Sequence, residues 1–270
     1  MNKNKAFTLI ELLVVIAIVG ILSSVIYSNI TGIRDRARIT AGIRFDSSTL
    51  HSIGDQLVGE WTFDTPNLPL IDTSGFGNVG TCTACPTYAT TSGYNNKGVY
   101  SFDGINDGIN VLNSSIISGV KTVSVWAYPY TTQKTYATIV SKADYSAPYI
   151  YGWVIRCSGS ANNWYANVGS TLGHMQILLG NIQNAWHNIV LTYDGTTMKV
   201  YLDGVFKGQG NIGYTEAVLN LRIGWGSVNP SDSYFNGLID DVRIYTSALS
   251  SSEIQKLYAE GKDRHQMSLH

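Results

Sequence analysis

The residues that could act as acids, bases or nucleophiles are few in this 270-residue sequence, and their spacing does not fit an enzyme. Glycoside hydrolysis needs two carboxylates about 5–10 Å apart. No E-x-D-x-x-E pattern is present, and the five glutamates are scattered along the chain: Glu11, Glu60, Glu216, Glu253 and Glu260. The five histidines lie in no triad or metal-binding spacing. We therefore predict that the protein is not an enzyme.

One carboxylate near the C-terminus stands out by its position in a strand pattern. In the run Leu238-Ile-Asp-Asp-Val-Arg-Ile-Tyr245, strand alternation places Asp240 on the same face as Leu238, Val242 and Ile244. A carboxylate on an apolar face needs a partner. Calcium, which takes several oxygen ligands, would serve, and backbone amides are the alternative.

Aromatic and amide side chains cluster in the middle of the chain and predict a binding surface. Aromatic faces suit the apolar C–H face of a sugar ring, while amides bond its hydroxyls. The candidate contacts are Tyr149, Tyr151, Trp164 and Tyr165. Packing is an equal alternative for Trp164 and for the loop Tyr145–Tyr151, and the target is a glycan or a protein. Trp61, Trp126 and Trp186 are predicted to lie in the core.

The N-terminal run KAFTLIELLVVIAIVG is long and apolar and yet contains Glu11. Between Phe7 and Ile30 the only other ionisable side chain is Tyr27, so residues 7–30 are predicted to span a membrane as a helix. A carboxylate there costs roughly 2.5–3.5 kcal/mol and normally marks a pairing role. A plain anchor or a secretory signal peptide therefore explains Glu11 poorly. A signal peptide would also need an A-x-A cleavage site after the apolar run, and the residues there match it poorly.

The stretch from Lys5-Ala6 through Phe7-Thr-Leu-Ile-Glu11 to Ile16 resembles the prepilin signal of type IV pilins and pseudopilins. The resemblance implies that a prepilin peptidase removes residues 1–6, cutting between Ala6 and Phe7, and that the new N-terminus is methylated. Ala6 departs from the usual glycine. The protein would sit in the inner membrane as a single-pass precursor and then enter a periplasmic or extracellular filament.

In such a filament the free amine of Phe7 on one subunit can pair with Glu11 of a neighbouring pilin subunit. Ser28 stands where many major pilins have a proline, which favours a pseudopilin-like or minor subunit. An amphipathic continuation extends the predicted N-terminal helix to residue 56.

From residue 57 the pattern changes to short strands separated by turn residues, which predicts a sandwich or barrel. The predicted strands are 58–64, 98–103, 107–112, 121–129, 136–142, 150–157, 163–168, 186–193, 198–204, 219–225 and 237–245. Asp194-Gly195 and Asp203-Gly204 predict hairpin turns. Ser250-Ser-Ser-Glu253 has capping-box spacing, so a short helix should close the domain.

Several of these segments together resemble the laminin-G-like, concanavalin A-like jelly roll over residues 57–261, with 262–270 as a tail. They include the segment 57–64, Tyr100-Ser-Phe-Asp-Gly104 and the hairpin that starts at Trp186. The resemblance implies a mainly β protein and a structural calcium (Ca²⁺) held by Asp72, Asn78 and Asp240. The alternative is that Asp72 and Asn78 cap turns. Asp103 and Asp107 are predicted to serve turns and strand ends.

Charge and cysteine content limit the remaining classes of function. The net charge of −1 gives no indication of a nucleic-acid partner. Cys82-Thr-Ala-Cys85 predicts a local disulfide in an exported domain, and Cys157 a buried free thiol. Two functions remain: an adhesive subunit of a type IV filament, or a pseudopilin of a type II secretion or DNA-uptake system whose sandwich is a spacer or recognises cargo.

Overall fold

The computed structural model describes residues 53–90, 98–113, 119–144, 151–158, 163–170, 173–211, 213, 219–226 and 230–266. The chain divides into two units, residues 1–52 and 53–270, and the description concerns the second. The predictions about the leader, the membrane helix, Phe7 and Glu11 lie outside the described residues. Among the helices of the described part, none has the length and apolar character needed to cross a bilayer.

The second unit is a sandwich of two antiparallel sheets closed by one helix, which confirms the predicted fold class of the domain. The strands are β1 (Leu57–Trp61), β2 (Gly80–Thr81), β3 (Thr87–Ala89), β4 (Val99–Asp103), β5 (Ile109–Val111), β6 (Thr122–Pro129), β7 (Thr138–Asp144), β8 (Tyr151–Ser158), β9 (Asn163–Ser170), β10 (Gly173–Gly180), β11 (His187–Tyr193), β12 (Thr197–Leu202), β13 (Val205–Asn211), β14 (Leu221–Ile223) and β15 (Asn236–Tyr245), and helix α1 spans Ser251–Gln266.

Sheet A has eight strands in the order β13-β12-β11-β6-β15-β4-β3, with β1 also paired to β15. Sheet B has seven, in the order β10-β9-β8-β7-β14-β5-β2. The apolar residues that alternate along these strands meet between the sheets and form the main core. Every predicted strand corresponds to one of these strands, and the four that were not predicted are the edge strands β2, β3, β10 and β13.

Turn chemistry fixes the register of the predicted hairpin between β11 and β12. Asp194 Oδ1 accepts hydrogen bonds from the backbone N–H groups of Thr196 (2.9 Å) and Thr197 (2.8 Å). Gly195 has φ of 109°, a conformation that favours glycine. Trp61, Trp126 and Trp186 are buried as predicted.

Helix α1 covers the outer face of sheet A. Its capping box is formed: the backbone N–H of Ser250 donates to Glu253 Oε2 (2.7 Å) and the Glu253 N–H points back to Ser250 Oγ (3.4 Å). Ile254 and Leu257 pack in a second apolar cluster on this face. The helix continues to Gln266, so the prediction that residues 262–270 form a tail is wrong for its first part.

Strand β15 changes partner in its middle. Its first half, Asn236–Ile239, pairs with β4, and its second half, Val242–Tyr245, pairs with β1. A bulge lies between Asp240 and Arg243 in the pairing with β6, and Asp241 has φ of 45°. The bulge brings both Ile239 and Val242 into the core.

Candidate functional site

Three connections between the two sheets meet at one end of the sandwich. Strand β14 ends beside the start of β5, because Ile223 pairs with Ile109, and β2 ends there too, because Thr81 pairs with Asn110. The connections β2–β3, β4–β5 and β14–β15 each lead from one sheet to the other at this end. Residues distant in sequence are therefore adjacent in space.

These connections enclose a cleft of about 310 Å³. Its lining combines two aromatic rings with amide and hydroxyl side chains: Thr83, Ala84, Asn106, Gly108, Asn110, Trp225 and Tyr234. The rings of Trp225 and Tyr234 lie 21° from parallel with centroids 6.3 Å apart, an offset arrangement that forms a two-ring platform.

The position of the Trp225 ring is fixed by its neighbours. The Arg222 guanidinium lies 4.8 Å from the ring centroid and donates through Nη1 to the carbonyl of Ala143 (3.2 Å). A Cβ on residue 108 would clash with Cδ1 of Trp225, so glycine is required there for the ring to occupy this place. Burial lowers the pKa of Arg222, while Asp144 acts in the opposite direction.

The second ring, Tyr234, is positioned by a tied loop. Lys134 Nζ lies 5.5 Å from the Tyr234 centroid and donates to the carbonyl of Ser231 (2.7 Å). The Phe235 N–H donates to the carbonyl of Gly224 (2.9 Å), and Ser233 Oγ donates to that of Gly226 (2.9 Å). These bonds close the loop on itself and limit the movement of the ring.

The turn that carries Asn106 is built around two carboxylates, as predicted for Asp103 and Asp107. Asp103 Oδ1 accepts from the N–H groups of Ile105 (2.7 Å) and Asn106 (3.2 Å), and Asp107 Oδ2 accepts from the Asp103 N–H (2.9 Å). Burial acts to raise the pKa of Asp103, but the backbone hydrogen bonds outweigh it and the pKa is lowered. Burial raises the pKa of Asp107.

The remaining wall of the cleft is closed by a disulfide. Cys82 and Cys85 are bonded, as predicted, and the two residues between them are Thr83 and Ala84 of the cleft. The Ala84 carbonyl accepts from the Gly108 N–H (3.2 Å), which joins this wall to the β4–β5 turn. Cys157 is a buried free thiol, also as predicted, and burial raises its pKa to about 11.

The predicted aromatic contacts do not converge into a site. Trp164 is fully buried in the core, so its surface-contact role is wrong. Tyr165 and Tyr151 are half-buried, but they lie about five residues, or roughly 17 Å, apart along the β8–β9 pair and on opposite faces. Tyr149 lies outside the described residues.

Two of the three predicted calcium ligands are in contact, in the role of turn caps. Asp72 Oδ1 accepts from the N–H groups of Glu60 (3.0 Å) and Ser74 (2.9 Å), and Oδ2 from the N–H (2.8 Å) and Nδ2 (2.9 Å) of Asn78. Burial acts to raise the pKa of Asp72, but hydrogen bonds from the Ser74 side chain and from the backbone N–H groups of Glu60, Asn78 and Ser74 outweigh it, and the pKa is lowered. Four N–H groups thus point at this carboxylate where a cation would have to bind.

The third predicted ligand, Asp240, lies on a different strand, β15. Asp72 and Thr73 bond the N–H and carbonyl of Glu60 along the free side of β1, while β15 with Asp240 lies on its other side. Asp240 Oδ1 accepts from the neighbouring Asp241 N–H (2.9 Å). The bulge also separates the face of Asp240 from that of Val242 and Ile244, so the predicted shared face is wrong. A calcium ion at Asp72 would have to displace the N–H groups that now bond its carboxylate.

Within the described ranges, no group of three His, Cys, Asp or Glu side chains could hold a metal ion. We expect the melting temperature of the purified chain to agree within about 1 °C between millimolar calcium and excess chelator, because Asp72 is already satisfied by N–H groups. A calcium-dependent rise of roughly 5–10 °C, the effect of a site filled at 100 times Kd, would contradict this.

A jelly-roll β-sandwich with a polar and aromatic cleft among its inter-sheet connections defines a domain of the lectin-like class. Residues 102–255, more than half of the chain, match the family described as "Concanavalin A-like lectin/glucanases superfamily", and the chain belongs to this superfamily. Residues 1–27 match the "Prokaryotic N-terminal methylation motif", which confirms the resemblance to the prepilin signal.

The chain is similar to parts of varied proteins. The chain is 29% identical over 147 residues to the adhesion G-protein coupled receptor V1 of Danio rerio, which covers 51% of the chain and 2% of that receptor. The fold is similar to the binding domain of Paraclostridial Mosquitocidal Protein 1 (TM-score 0.62, 15% identity, 77% of this chain and 53% of that one). It is also similar to domain 4 of the arabinanase AbnA from Geobacillus stearothermophilus, solved with arabinotriose (TM-score 0.59, 23% identity, 75% and 98%).

The residues of the cleft were not identified from the sequence. Trp225 and Tyr234 lie on one inter-sheet connection, Asn106 on another, and only the sheet topology brings them together. A local signal was available, since Gly224-Trp225-Gly226 places a large ring between two glycines at the end of the predicted strand 219–225.

Proposed function

We propose that the chain is a pilin-like subunit whose β-sandwich binds a glycan in the cleft of Trp225 and Tyr234, and that the assembled filament adheres through it. The observation that carries this proposal is the pairing of a two-ring platform with amide side chains in one cleft. The rings offer an apolar surface to a sugar face, and Asn106 and Asn110 offer donors and acceptors to its hydroxyls.

Binding rather than catalysis is the activity that we propose for this cleft. None of the seven residues given above as its lining is a carboxylate, histidine or cysteine. A volume of about 310 Å³ lies at the lower end of the range for small-molecule sites, which suits one or two sugar units rather than a buried oligomer. The related arabinanase domain solved with arabinotriose supports a sugar ligand.

The N-terminal motif supports the remainder of the proposal. Its match over residues 1–27 supports cleavage by a prepilin peptidase, a membrane-anchored precursor and assembly with other pilin subunits. A pseudopilin of a secretion or DNA-uptake system carries the same motif, and Ser28 favours that alternative. Immunogold images of native cells distinguish the two, because abundant labelled fibres outside the cell favour the adhesive filament.

Replacing Trp225 with alanine is expected to weaken glycan binding by about tenfold or more, because half of the platform is removed. The measurement is a glycan array followed by titration of the best ligand with the purified full-length chain. Asn106→Ala, an exposed side chain, should weaken binding without affecting folding.

The matched control for this test is Phe206→Ala. It removes another aromatic ring, which is half-exposed and lies on β13 rather than at the cleft. Wild-type affinity in Trp225→Ala and Asn106→Ala, with unchanged melting temperatures, would exclude the cleft as the binding site. The absence of any glycan ligand for the wild-type chain would overturn the proposed activity itself.

A further inference from the structure

The wall of the cleft that carries Thr83 and Ala84 is a short crossing between the two sheets. Residues 82–86 make this crossing, from the end of β2 in sheet B to the start of β3 in sheet A. The Cys82–Cys85 disulfide closes a loop inside the crossing, and the two residues that it encloses are the two that line the cleft. The state of this one bond therefore bears directly on the shape of the wall.

The two cysteines of this disulfide differ in their exposure. Cys82 is partly buried and packs against the main core, whereas Cys85 is exposed. A thiolate from solution can therefore approach the Sγ atom of Cys85, with Cys82 as the leaving group. Exposed disulfides are reduced more readily than buried ones and are often the regulatory ones.

A hydrogen bond joins the disulfide loop to the support of the aromatic platform. The Ala84 carbonyl accepts from the N–H of Gly108 (3.2 Å). Gly108 in turn lies directly against Trp225, since a Cβ at this position would clash with the ring. The disulfide thus helps to hold Gly108, and through it the Trp225 ring, in place.

We propose that the Cys82–Cys85 disulfide is a thiol-sensitive switch for the cleft, which binds its glycan well while the bond is formed and poorly once a dithiol has reduced it. This inference rests on the proposed glycan binding and adds its regulation.

The chemistry of the switch is thiol–disulfide exchange with a dithiol reductant. One thiolate of the reductant attacks Cys85 Sγ, the S–S bond of the protein breaks, and Cys82 leaves as a thiolate that takes up a proton. The second thiol of the reductant then attacks the mixed disulfide and releases Cys85. The reductant ends as a disulfide, and the protein has gained two electrons and two protons.

Reduction is expected to leave the sandwich folded. The two cysteines are separated by only three positions in sequence, and a disulfide that closes a short loop restricts the unfolded chain less than one that closes a long loop. The effect should therefore be confined to the cleft, which distinguishes a switch from a general loss of structure.

The test is a titration of the purified full-length chain with the best ligand from the glycan array, before and after treatment with dithiothreitol. The affinity is expected to fall about fivefold to tenfold, the effect of one weakened hydrogen bond and a less ordered wall, and to return after reoxidation. Alkylation and mass spectrometry should count two labelled cysteines in the reduced folded chain, because Cys157 is buried.

Two variants assign the response to this disulfide. Cys82→Ser/Cys85→Ser should bind as weakly as the reduced wild type and should not respond to dithiothreitol. Cys157→Ser is the matched control, which should bind like the wild type and keep the full response. Equal affinities of the double variant and the oxidised wild type would overturn the switch, as would a disulfide that dithiothreitol does not reduce in the folded chain.

Hydrogen exchange gives a second readout that needs no glycan. Reduction should speed exchange in a peptide covering residues 104–110, because the acceptor of the Gly108 N–H is released, while peptides from β11 stay protected. If the oxidised chain binds no glycan, the proposed function fails whatever the exchange result. If the oxidised chain binds and reduction changes neither readout, the switch alone fails. Loss of protection in β11 on reduction would mean general unfolding and would also overturn the switch.

Discussion

Glu11→Val is expected to insert into the membrane normally and to produce no filaments. Insertion becomes easier, because a carboxylate in the span costs roughly 2.5–3.5 kcal/mol and valine costs nothing. Assembly is lost because the methylated amine at Phe7 would enter a low-dielectric contact without its partner. Removal of one member of such a pair costs about 3–5 kcal/mol, more than 100-fold in subunit affinity at each contact.

The measurement compares membrane fractions with sheared filaments for the wild type and the variant. Glu11→Gln is the matched control for shape: it keeps the length of the side chain and removes the charge, so it should fail like valine. Normal filaments from Glu11→Val would contradict the ion pair, and normal filaments from Glu11→Gln alone would show that a neutral hydrogen bond is enough.

The fold was predictable wherever a strand is paired on both sides. Such strands bury at least one face and carry alternating apolar residues, as in β6, β11 and β15. The four strands that were not predicted are edge strands, paired on one side only. Strand β13, Val-Phe-Lys-Gly-Gln-Gly-Asn, illustrates the reason. None of its residues is buried, because one side of the strand is open. The positions that lie against Ile177 and Met175 of β10 are Gly208 and Gly210, which carry no apolar side chain to indicate a strand.

The failures at the candidate site have two separate physical causes. Trp164 alternates with Ala166 and Val168, a parity that indicated a core position, but the surrounding tyrosines and asparagines favoured a surface. Asp240 was placed by strict alternation, and a bulge that no local signal marks shifted the alternation by one residue. Turn carboxylates such as Asp103 were predictable because their hydrogen bonds are local in sequence.

The second large effect that we expect is at Arg243, which joins three elements through its guanidinium. Nε donates to Glu60 Oε1 on β1 (2.9 Å), Nη1 lies 3.5 Å from Glu260 Oε2 on α1, and Nη2 lies 3.9 Å from Asp241 Oδ1 in the bulge. Burial by itself would lower the pKa of Arg243, but Asp241, Tyr245, Glu60 and Glu260 together raise it, so the side chain is charged at all accessible pH values.

Arg243→Met should lower the free energy of unfolding by about 3 kcal/mol, because the largely buried carboxylates of Glu60 and Asp241 lose this cation while the apolar stem is retained. For a domain of this size the loss corresponds to a fall in melting temperature of roughly 6–12 °C. The measurement is thermal unfolding of the purified chain, followed by circular dichroism.

Two further variants distinguish the ion cluster from a general effect of charge. Lys207→Met removes an exposed cation on β13 and should change stability by less than about 0.5 kcal/mol. Arg243→Lys keeps the charge but cannot reach three carboxylates with one planar group, so an intermediate loss is expected. A melting temperature of Arg243→Met within 2 °C of the wild type would mean that β1, the bulge and α1 are held by apolar packing alone. In that case the cluster would contribute no more than an exposed surface pair, since water would already weaken its charges in the folded protein.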